Sequence, residues 1–107
     1  MQATKVRVSH EDFDASAELA PMAGGDAGAS VSFIGMVRAD GSVLAMELEH
    51  YPAMTEKAIA GIIEQARGRW SLEAVTVIHR VGKLLPGDQI VFCAVTSKHR
   101  CEAFAAC

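Results

Sequence analysis

The segment between residues 47 and 80 shows three patterns of apolar residues in turn: that of an extended run, then a helical spacing, then strict alternation. The middle part carries apolar residues at the spacing of one helix face. These residues are Ile59, Ile62, Ile63, Ala66 and Trp70. Pro52 favours a helix start there because the first turn needs no amide proton, and Thr55 is a rival N-cap. The alternation over Val75–Arg80 completes a strand–helix–strand unit, which we expect to nucleate an α+β core.

Three further apolar stretches predict strands. Ala29–Val37 alternates, and Gly35 inside it indicates a bulge or a close approach by another backbone. The following segment, Arg38–Ser42, contains an Asp-Gly hairpin signal, so Val43–His50 is expected to return as the next strand. Gln89–Thr96 is almost continuously apolar, which predicts a strand buried on both faces.

Shorter patterns predict the elements near the amino terminus. Lys5–Val8 alternates polar and apolar residues and is typical of a short edge strand. Ser9 is expected to cap a helix that carries Glu11 and Asp12 in its first turn. The segment Pro21–Gly28 is rich in glycine and predicts a loop.

The last predicted element is a helix that Ser97 caps. Its apolar face consists of Cys101, Phe104 and Ala105. The pattern reaches Cys107 after less than two turns and carries no glycine, asparagine or proline stop signal. From this pattern we expect that the chain is cut short and that more sequence follows in the full protein.

Composition narrows the class of protein. The chain has 107 residues, of which 50% are apolar, so we expect one domain with its own core. The sheet is expected to be mixed or antiparallel, with flanking helices. A net charge of −3 argues against a uniformly basic nucleic-acid surface. No apolar run reaches the length of a membrane span and the first residues lack the pattern of a signal peptide, so the expected location is the cytoplasm.

The titratable residues offer few metal or disulfide patterns. The three cysteines are an odd number without Cys-x-x-Cys spacing, so neither a disulfide framework nor a zinc site is expected, and Cys93 is interpreted as a small core residue. His10 and His79 have no partner pattern for a metal. The pair His50-Tyr51 is either catalytic or a hydrogen-bonded structural pair. No catalytic triad order, phosphate loop or dinucleotide fingerprint occurs.

Basic residues form the best candidate site. They occur as Arg38, as the group around His79, Arg80 and Lys83, and as Lys98-His99-Arg100. Arg38 follows a predicted strand, and His99 and Arg100 lie at a predicted helix start, where free amides and the helix dipole favour anions. Arginine adds a forked donor for phosphate or carboxylate. The alternative is that these side chains simply point into water.

Several blocks of this sequence resemble the family of the large, catalytic subunit of molybdopterin synthase. They include FIGMVR at 33–38, LEHYP at 48–52, VIHRVG at 77–82 and SKHR at 97–100, and the similarity extends from about Val31 to the end of the chain. The resemblance implies an α/β-hammerhead core and a homodimer. It also implies a small ubiquitin-like sulfur-carrier subunit as partner, which completes a heterotetramer.

The implied reaction is sulfur transfer. The carrier's C-terminal Gly-Gly thiocarboxylate donates two sulfurs to cyclic pyranopterin monophosphate, which yields the molybdopterin dithiolene, and no cofactor is implied. The resemblance assigns the anionic substrate pocket to Arg38, His99 and Arg100, with Met36 and Val37 beside it. It assigns a contact with the carrier's tail to Phe33.

The sequence departs from the family in two ways. Met36 stands where a lysine is frequent, and the loop at Arg38–Ser42 is short. The family's lysines, its main catalytic candidates, lie beyond the position of Cys107, so no catalytic residue is assigned. The alternatives are therefore a scaffold that docks the carrier without catalysis, or a nucleotide- or RNA-binding domain that uses the basic clusters.

Overall fold

The computed structural model describes residues 3–38, 46–48 and 52–107. Within these residues the chain forms strands, α-helices and one 3-10 turn in a mixed order. In chain order they are β1 (Ala3–Ser9), α1 (Ala15–Leu19), the 3-10 turn (Ala20–Met22), β2 (Ala29–Met36), β3 (Met46–Leu48), α2 (Pro52–Arg69), β4 (Ala74–Arg80), β5 (Gly82–Leu84), β6 (Gln89–Ser97) and α3 (Arg100–Ala106).

The main sheet has the strand order β1-β4-β6-β2. Strands β1 and β4 are parallel, whereas β6 is antiparallel to both of its neighbours, β4 and β2. A second, two-stranded antiparallel sheet joins β3 to β5. The prediction of an α+β fold with a mixed sheet and flanking helices is therefore confirmed.

Each face of the main sheet packs against a different layer, because successive side chains of a strand point to opposite faces. On one face, Ile78 and Phe92 pack with Phe13 and Met22 from the segment around α1. The rings of Phe13 and Phe92 lie 5.5 Å apart between their centroids. The residues of the opposite cluster are Ile63, Leu72, Val75 and Val95, with partly buried neighbours from α2 and from the end of α3.

The strand–helix–strand unit is confirmed as β3, α2 and β4, and α2 begins at Pro52 rather than at Thr55. One residue of its apolar stripe does not face the core. Ile63 is buried, but the side chain of Ile62 is 64% exposed. The positions at i, i+4 and i+7 from Ile59 already fill the strip of helix surface that meets the sheet, and Ile62 lies at its edge.

Both predicted N-caps are wrong. Helix α1 begins at Ala15, and the carboxylate of Asp14 accepts a hydrogen bond from the amide of Ala17 at 3.3 Å. Ser97 belongs to β6, and its hydroxyl oxygen lies 2.8 Å from the carbonyl oxygen of Ser71. His99 is the N-cap of α3. Asp14 stands directly before the first helical residue of α1, and the hydroxyl group of Ser97 is engaged within the fold at the end of β6, so neither serine caps a helix.

The apolar face predicted for α3 is also wrong. Ala103 is the buried residue of this helix, while Cys101, Phe104 and Ala105 are exposed, Phe104 by 68%. The short connection after Ser97 fixes the rotation of the helix about its axis. It turns the side with the small residue towards the sheet, so the larger apolar side chains face outwards.

The pairing of β3 differs from the predicted hairpin. Among the described residues, β3 pairs with β5 and not with β2. The Asp40-Gly41 turn lies outside the described residues. The irregularity at Gly35 is confirmed: the register shifts between Gly35 and Met36, and a β-carbon on Gly35 would lie 2.8 Å from a methyl group of Val91. Because Gly35 has no side chain, β6 approaches β2 closely at this position.

We expect Ile78→Ala to lower the free energy of unfolding by about 2–5 kcal/mol, because Ile78 has no exposed surface and its truncation leaves a cavity. Ile62→Ala is the matched control, with the same atoms removed from an exposed helix position, and should change stability by about 0.5 kcal/mol or less. Urea unfolding of both variants checks this. Equal losses would contradict the assignment of the core.

Candidate functional site

Of the three basic clusters, the one around Arg80 is structural. Its side chain is only 13% exposed, and Nη1 donates to the carbonyl oxygen of Gln89 at 2.9 Å. The guanidinium also approaches the carbonyl oxygen of His10 at 3.4 Å and the carboxylate of Asp12 at 3.6 Å. In the same cluster, Nδ1 of His79 lies 2.8 Å from the carbonyl oxygen of Arg80. These contacts tie the segment after β1 to β4 and β6.

The carboxyl group of Asp12 is part of this structural cluster. Its Oδ1 accepts hydrogen bonds from the Gln89 side chain and from the amide of Phe13, both at 2.8 Å. These bonds, together with the charge of Arg80, hold the pKa of Asp12 below its ordinary value of 3.8 against the opposing effect of burial.

Lys98, His99 and Arg100 lie on the surface, where β6 passes into α3. With Gly28 and Cys101 they line an open depression of about 470 Å³. Within the described part of the chain, the side chains of His99 and Arg100 form no hydrogen bond or ion pair. The depression therefore presents cationic groups that the rest of the described chain does not neutralise.

Gly28 is a residue of this depression that the sequence did not single out. Its amide donates to the carbonyl oxygen of Ser97 at 2.9 Å. A β-carbon at this position would collide with the carbonyl oxygen of Lys98. Its place directly before β2 was the available signal, since a glycine at a strand start permits close approach of another backbone.

Ser97 also holds the start of α3. Its hydroxyl oxygen lies 2.8 Å from the Ser71 carbonyl oxygen and 3.1 Å from Oε2 of Glu102. The single hydroxyl proton serves one of these acceptors at a time. The hydroxyl group of Ser97 therefore links the turn between α2 and β4, the end of β6 and the first turn of α3. The backbone beneath His99 and Arg100 is thus fixed, while their side chains remain exposed.

Arg38 lies just beyond the other end of β2 and is exposed. The residue before it, Val37, is buried; its amide donates to the carbonyl oxygen of Asp88 and its carbonyl oxygen accepts from the amide of Gly87, both at 2.9 Å. The turn at Pro86–Asp88, which was predicted correctly, therefore anchors the backbone that carries Arg38. Met36 follows the bulge and is exposed.

Phe33 lies on β2 with its side chain 58% exposed. Its ring comes within 3.5 Å of the point where a β-carbon of Gly35 would lie, so the glycine leaves room for the ring on this face of the sheet. A large apolar side chain that is half exposed at a sheet edge suits contact with another molecule.

The structure separates the two groups of predicted pocket residues. On the β2–β6 ladder, Ala29 pairs with Ser97 at one end and Met36 pairs with Gln89 at the other. The rise of an antiparallel strand makes these ends roughly 24 Å apart. Arg38 follows one end, and His99 and Arg100 follow the opposite end. A single copy of the chain therefore does not bring them into one pocket.

The other sequence predictions concern the pair His50-Tyr51, metal binding and membrane spans. His50 and Tyr51 lie outside the described residues. Within the described ranges, no group of three or more His, Cys, Asp or Glu side chains could hold a metal ion. None of the described helices is both long and apolar enough to cross a membrane.

The fold is thus a mixed-sheet α+β domain with exposed basic residues beyond both ends of the β2–β6 strand pair. The model of the MoaE protein family matches residues 8–107. The "Molybdopterin synthase catalytic subunit" of Ralstonia nicotianae is 59% identical over 107 residues, which cover 95% of this chain and 61% of that protein. The chain therefore spans about three fifths of the length of this relative.

Solved structures have the same fold. The molybdopterin biosynthesis MoaE protein from Burkholderia ambifaria aligns with a TM-score of 0.84 and 45% identity, over 97% of this chain and 71% of that chain. A Helicobacter pylori complex of subunits 1 and 2 of molybdopterin-converting factor aligns with a TM-score of 0.69 at 18% identity, over 96% and 70%. The chain belongs to the MoaE family, as the sequence motifs indicated.

We expect Gly28→Ala to destabilise the protein by about 1–3 kcal/mol, because the added methyl group forces the backbone of Lys98 away. Gly61→Ala is the matched control: a β-carbon there meets nothing within 4 Å and the residue lies inside α2, so a gain of about 0.5–1 kcal/mol is expected. Thermal and urea unfolding check both signs. A neutral Gly28→Ala would mean that the close approach has no energetic weight.

We expect Asp12→Asn to cost stability at neutral pH and to cost progressively less in acid. Since the pKa of Asp12 is lower in the folded state, its carboxylate contributes stability above pH 3.8, and this is lost as the pH falls through the folded-state pKa. Unfolding free energies of both proteins from about pH 7 to about pH 2.5 measure the difference. A constant difference over that range would contradict the proposed role.

Proposed function

We propose that this chain acts as the catalytic subunit of a molybdopterin synthase. In this role it transfers sulfur from a thiocarboxylated carrier protein to cyclic pyranopterin monophosphate and forms the molybdopterin dithiolene. Family membership supports the reaction class. The observation that carries the assignment to particular residues is the exposed, unneutralised cationic depression at His99 and Arg100.

The charges of this depression suit the proposed substrate. A phosphate group is an anion that arginine binds through paired N–H donors, and His99 adds a second donor at the neighbouring position. The backbone beneath them is held by Gly28 and Ser97, so binding would not require the site to be ordered first. Fixed cations also lower the cost of bringing an anionic thiocarboxylate close to an anionic substrate.

The separation of Arg38 from His99 and Arg100 favours a site shared between two copies of the chain. One chain offers Arg38 at one end of the β2–β6 ladder, and the other offers His99 and Arg100 from the opposite end. In a two-fold symmetric dimer this contact occurs twice, so each dimer would hold two equivalent sites. We therefore include a homodimer in the proposal.

The carrier is proposed to approach along β2. Phe33 and Met36 are large apolar side chains, 58% and 61% exposed, on the strand that leads to Arg38. An extended Gly-Gly tail has no side chains and could lie against them with its terminal thiocarboxylate directed to the arginine. In the Helicobacter pylori structure of the same fold, the two subunits form a complex. The cytoplasmic location inferred from the sequence remains a prediction.

A scaffold that docks the carrier without catalysis is the second candidate function. It accounts equally well for Phe33 and Met36, but it gives no role to His99 and Arg100. Carrier binding without sulfur transfer to the pterin would favour it. Binding to RNA that weakens steeply with salt would instead favour the nucleic-acid reading, which the net charge of −3 opposes.

The shared site predicts complementation between two defective variants. Arg38→Ala and Arg100→Ala should each lose substrate binding and sulfur transfer by about 10-fold or more while they remain folded, since both side chains are exposed. Mixed in equal amounts and allowed to exchange subunits, they should regain about a quarter of wild-type site capacity, because half of the dimers carry one intact site of two.

Arg69→Ala serves as the control, because it removes an exposed arginine from α2 that stacks on Trp70 and lies in neither cluster. It should retain substrate binding and transfer. Calorimetric titration with cyclic pyranopterin monophosphate and a transfer assay with a thiocarboxylated carrier provide the two readouts. If the mixture stays as defective as either parent, the two groups do not share a site. Variants that keep full substrate affinity would overturn their assignment.

A further inference from the structure

Two of the cysteines, 14 positions apart in sequence, meet in the folded chain. Cys93 is in the middle of β6, and Cys107 directly follows α3. Their sulfur atoms lie 3.6 Å apart. Each sulfur also approaches the other residue's carbonyl oxygen, at 3.8 Å and 3.6 Å. The contact is therefore reciprocal and involves both backbones as well as both side chains.

The pair lies at a groove that small molecules can enter. Both cysteines are half-buried, and they line an apolar cavity of about 210 Å³ between α2, the sheet and the end of α3. Ile63 and Val95 form part of its floor. The third cysteine, Cys101, is exposed on the first turn of α3 and does not line this groove. Access and proximity thus coincide at one pair of thiols.

We propose that Cys93 and Cys107 form a reversible thiol–disulfide site that a small hydroperoxide oxidises. The sulfurs already lie within about 1.6 Å of the bonded distance of about 2.05 Å, a gap that side-chain rotation can close. No cysteine of the described chain forms a disulfide in the reduced state shown by this structure. This site is independent of the sulfur-transfer reaction proposed above.

Oxidation of the pair takes two steps. One of the two sulfurs attacks the peroxide and takes one oxygen to become a sulfenic acid, and water leaves. The other sulfur then attacks the first, the S–O bond breaks, and the proton of the attacking thiol leaves with the hydroxide as a second water. Burial and the neighbouring Cys107 raise the pKa of the Cys93 thiol to about 12.

The two oxidation steps conserve atoms and electrons. Two thiols and one hydrogen peroxide give one disulfide and two waters; the sulfurs lose two electrons and the peroxide O–O bond gains them. A dithiol reductant reverses the step by thiol–disulfide exchange. The bond would join the end of α3 covalently to the central strand β6 and close one side of the groove.

The test is titration of the whole chain with hydrogen peroxide, followed by thiol counting, intact mass and peptide mapping. We expect the loss of two thiols per chain, the loss of two hydrogens in mass, and one linked peptide pair that joins Cys93 to Cys107. The closed loop should raise the melting temperature by about 5–15 °C, and a dithiol should reverse the rise.

Cys101→Ser is the matched control, because it leaves the proposed pair intact and should behave as the wild type does. Cys107→Ser and Cys93→Ala should both fail to form the link and to gain thermal stability on oxidation. The wild-type peptide map gives an answer even if a variant does not fold. Dimers linked through Cys101, or sulfinic acid at Cys107 without a link to Cys93, would overturn the proposal. So would three free thiols after a peroxide treatment that oxidises the urea-unfolded chain.

Discussion

Pairing of β6 on both of its edges is the constraint on which the rest of this structure depends. Its residues hydrogen-bond to β4 on one side and to β2 on the other, both antiparallel. Alternate side chains then enter two different cores: Phe92 and Ala94 face α1, while Val95 faces α2. A strand with both edges paired and both faces covered has little freedom to shift, since a slip by one residue would exchange the two cores.

The ends of β6 position the residues of the proposed site for the same reason. At its start, the turn at Pro86–Asp88 binds the backbone of Val37 and so places Arg38. At its end, Ser97 pairs with the amide of Gly28 and contacts Glu102, and so places His99 and Arg100. A rigid ladder keeps these two groups apart as firmly as it holds each in place. The separation is the reason for our proposal that two copies of the chain share one pocket.

The sequence predicted those elements whose signals are local. The strand at Ala29–Val37, the helix at Pro52 and the turn at Pro86–Asp88 each carry their own periodicity or turn residues, and the structure confirms them. Non-local choices were missed. Ser97 looked like a cap because its carbonyl partner, Ser71, is distant in sequence. The spacing of apolar residues likewise could not show that Ala103, and not Phe104, faces the sheet. Backbone geometry decides how a short helix is rotated about its axis.

The same limit applies to the chemistry. Residue types and motifs identified the basic residues of the proposed site, but antiparallel pairing decides which of them are neighbours, and no single segment of the sequence specifies that pairing. The cysteines show the converse case. An odd number without close spacing argued against disulfides, yet α3 folds back along β6 and carries Cys107 to Cys93. Helix α3 thus has a cationic group at its first residue and a thiol contact just past its last. Because the helix is only seven residues long, a bond at the thiols would restrain the same helix that carries Arg100.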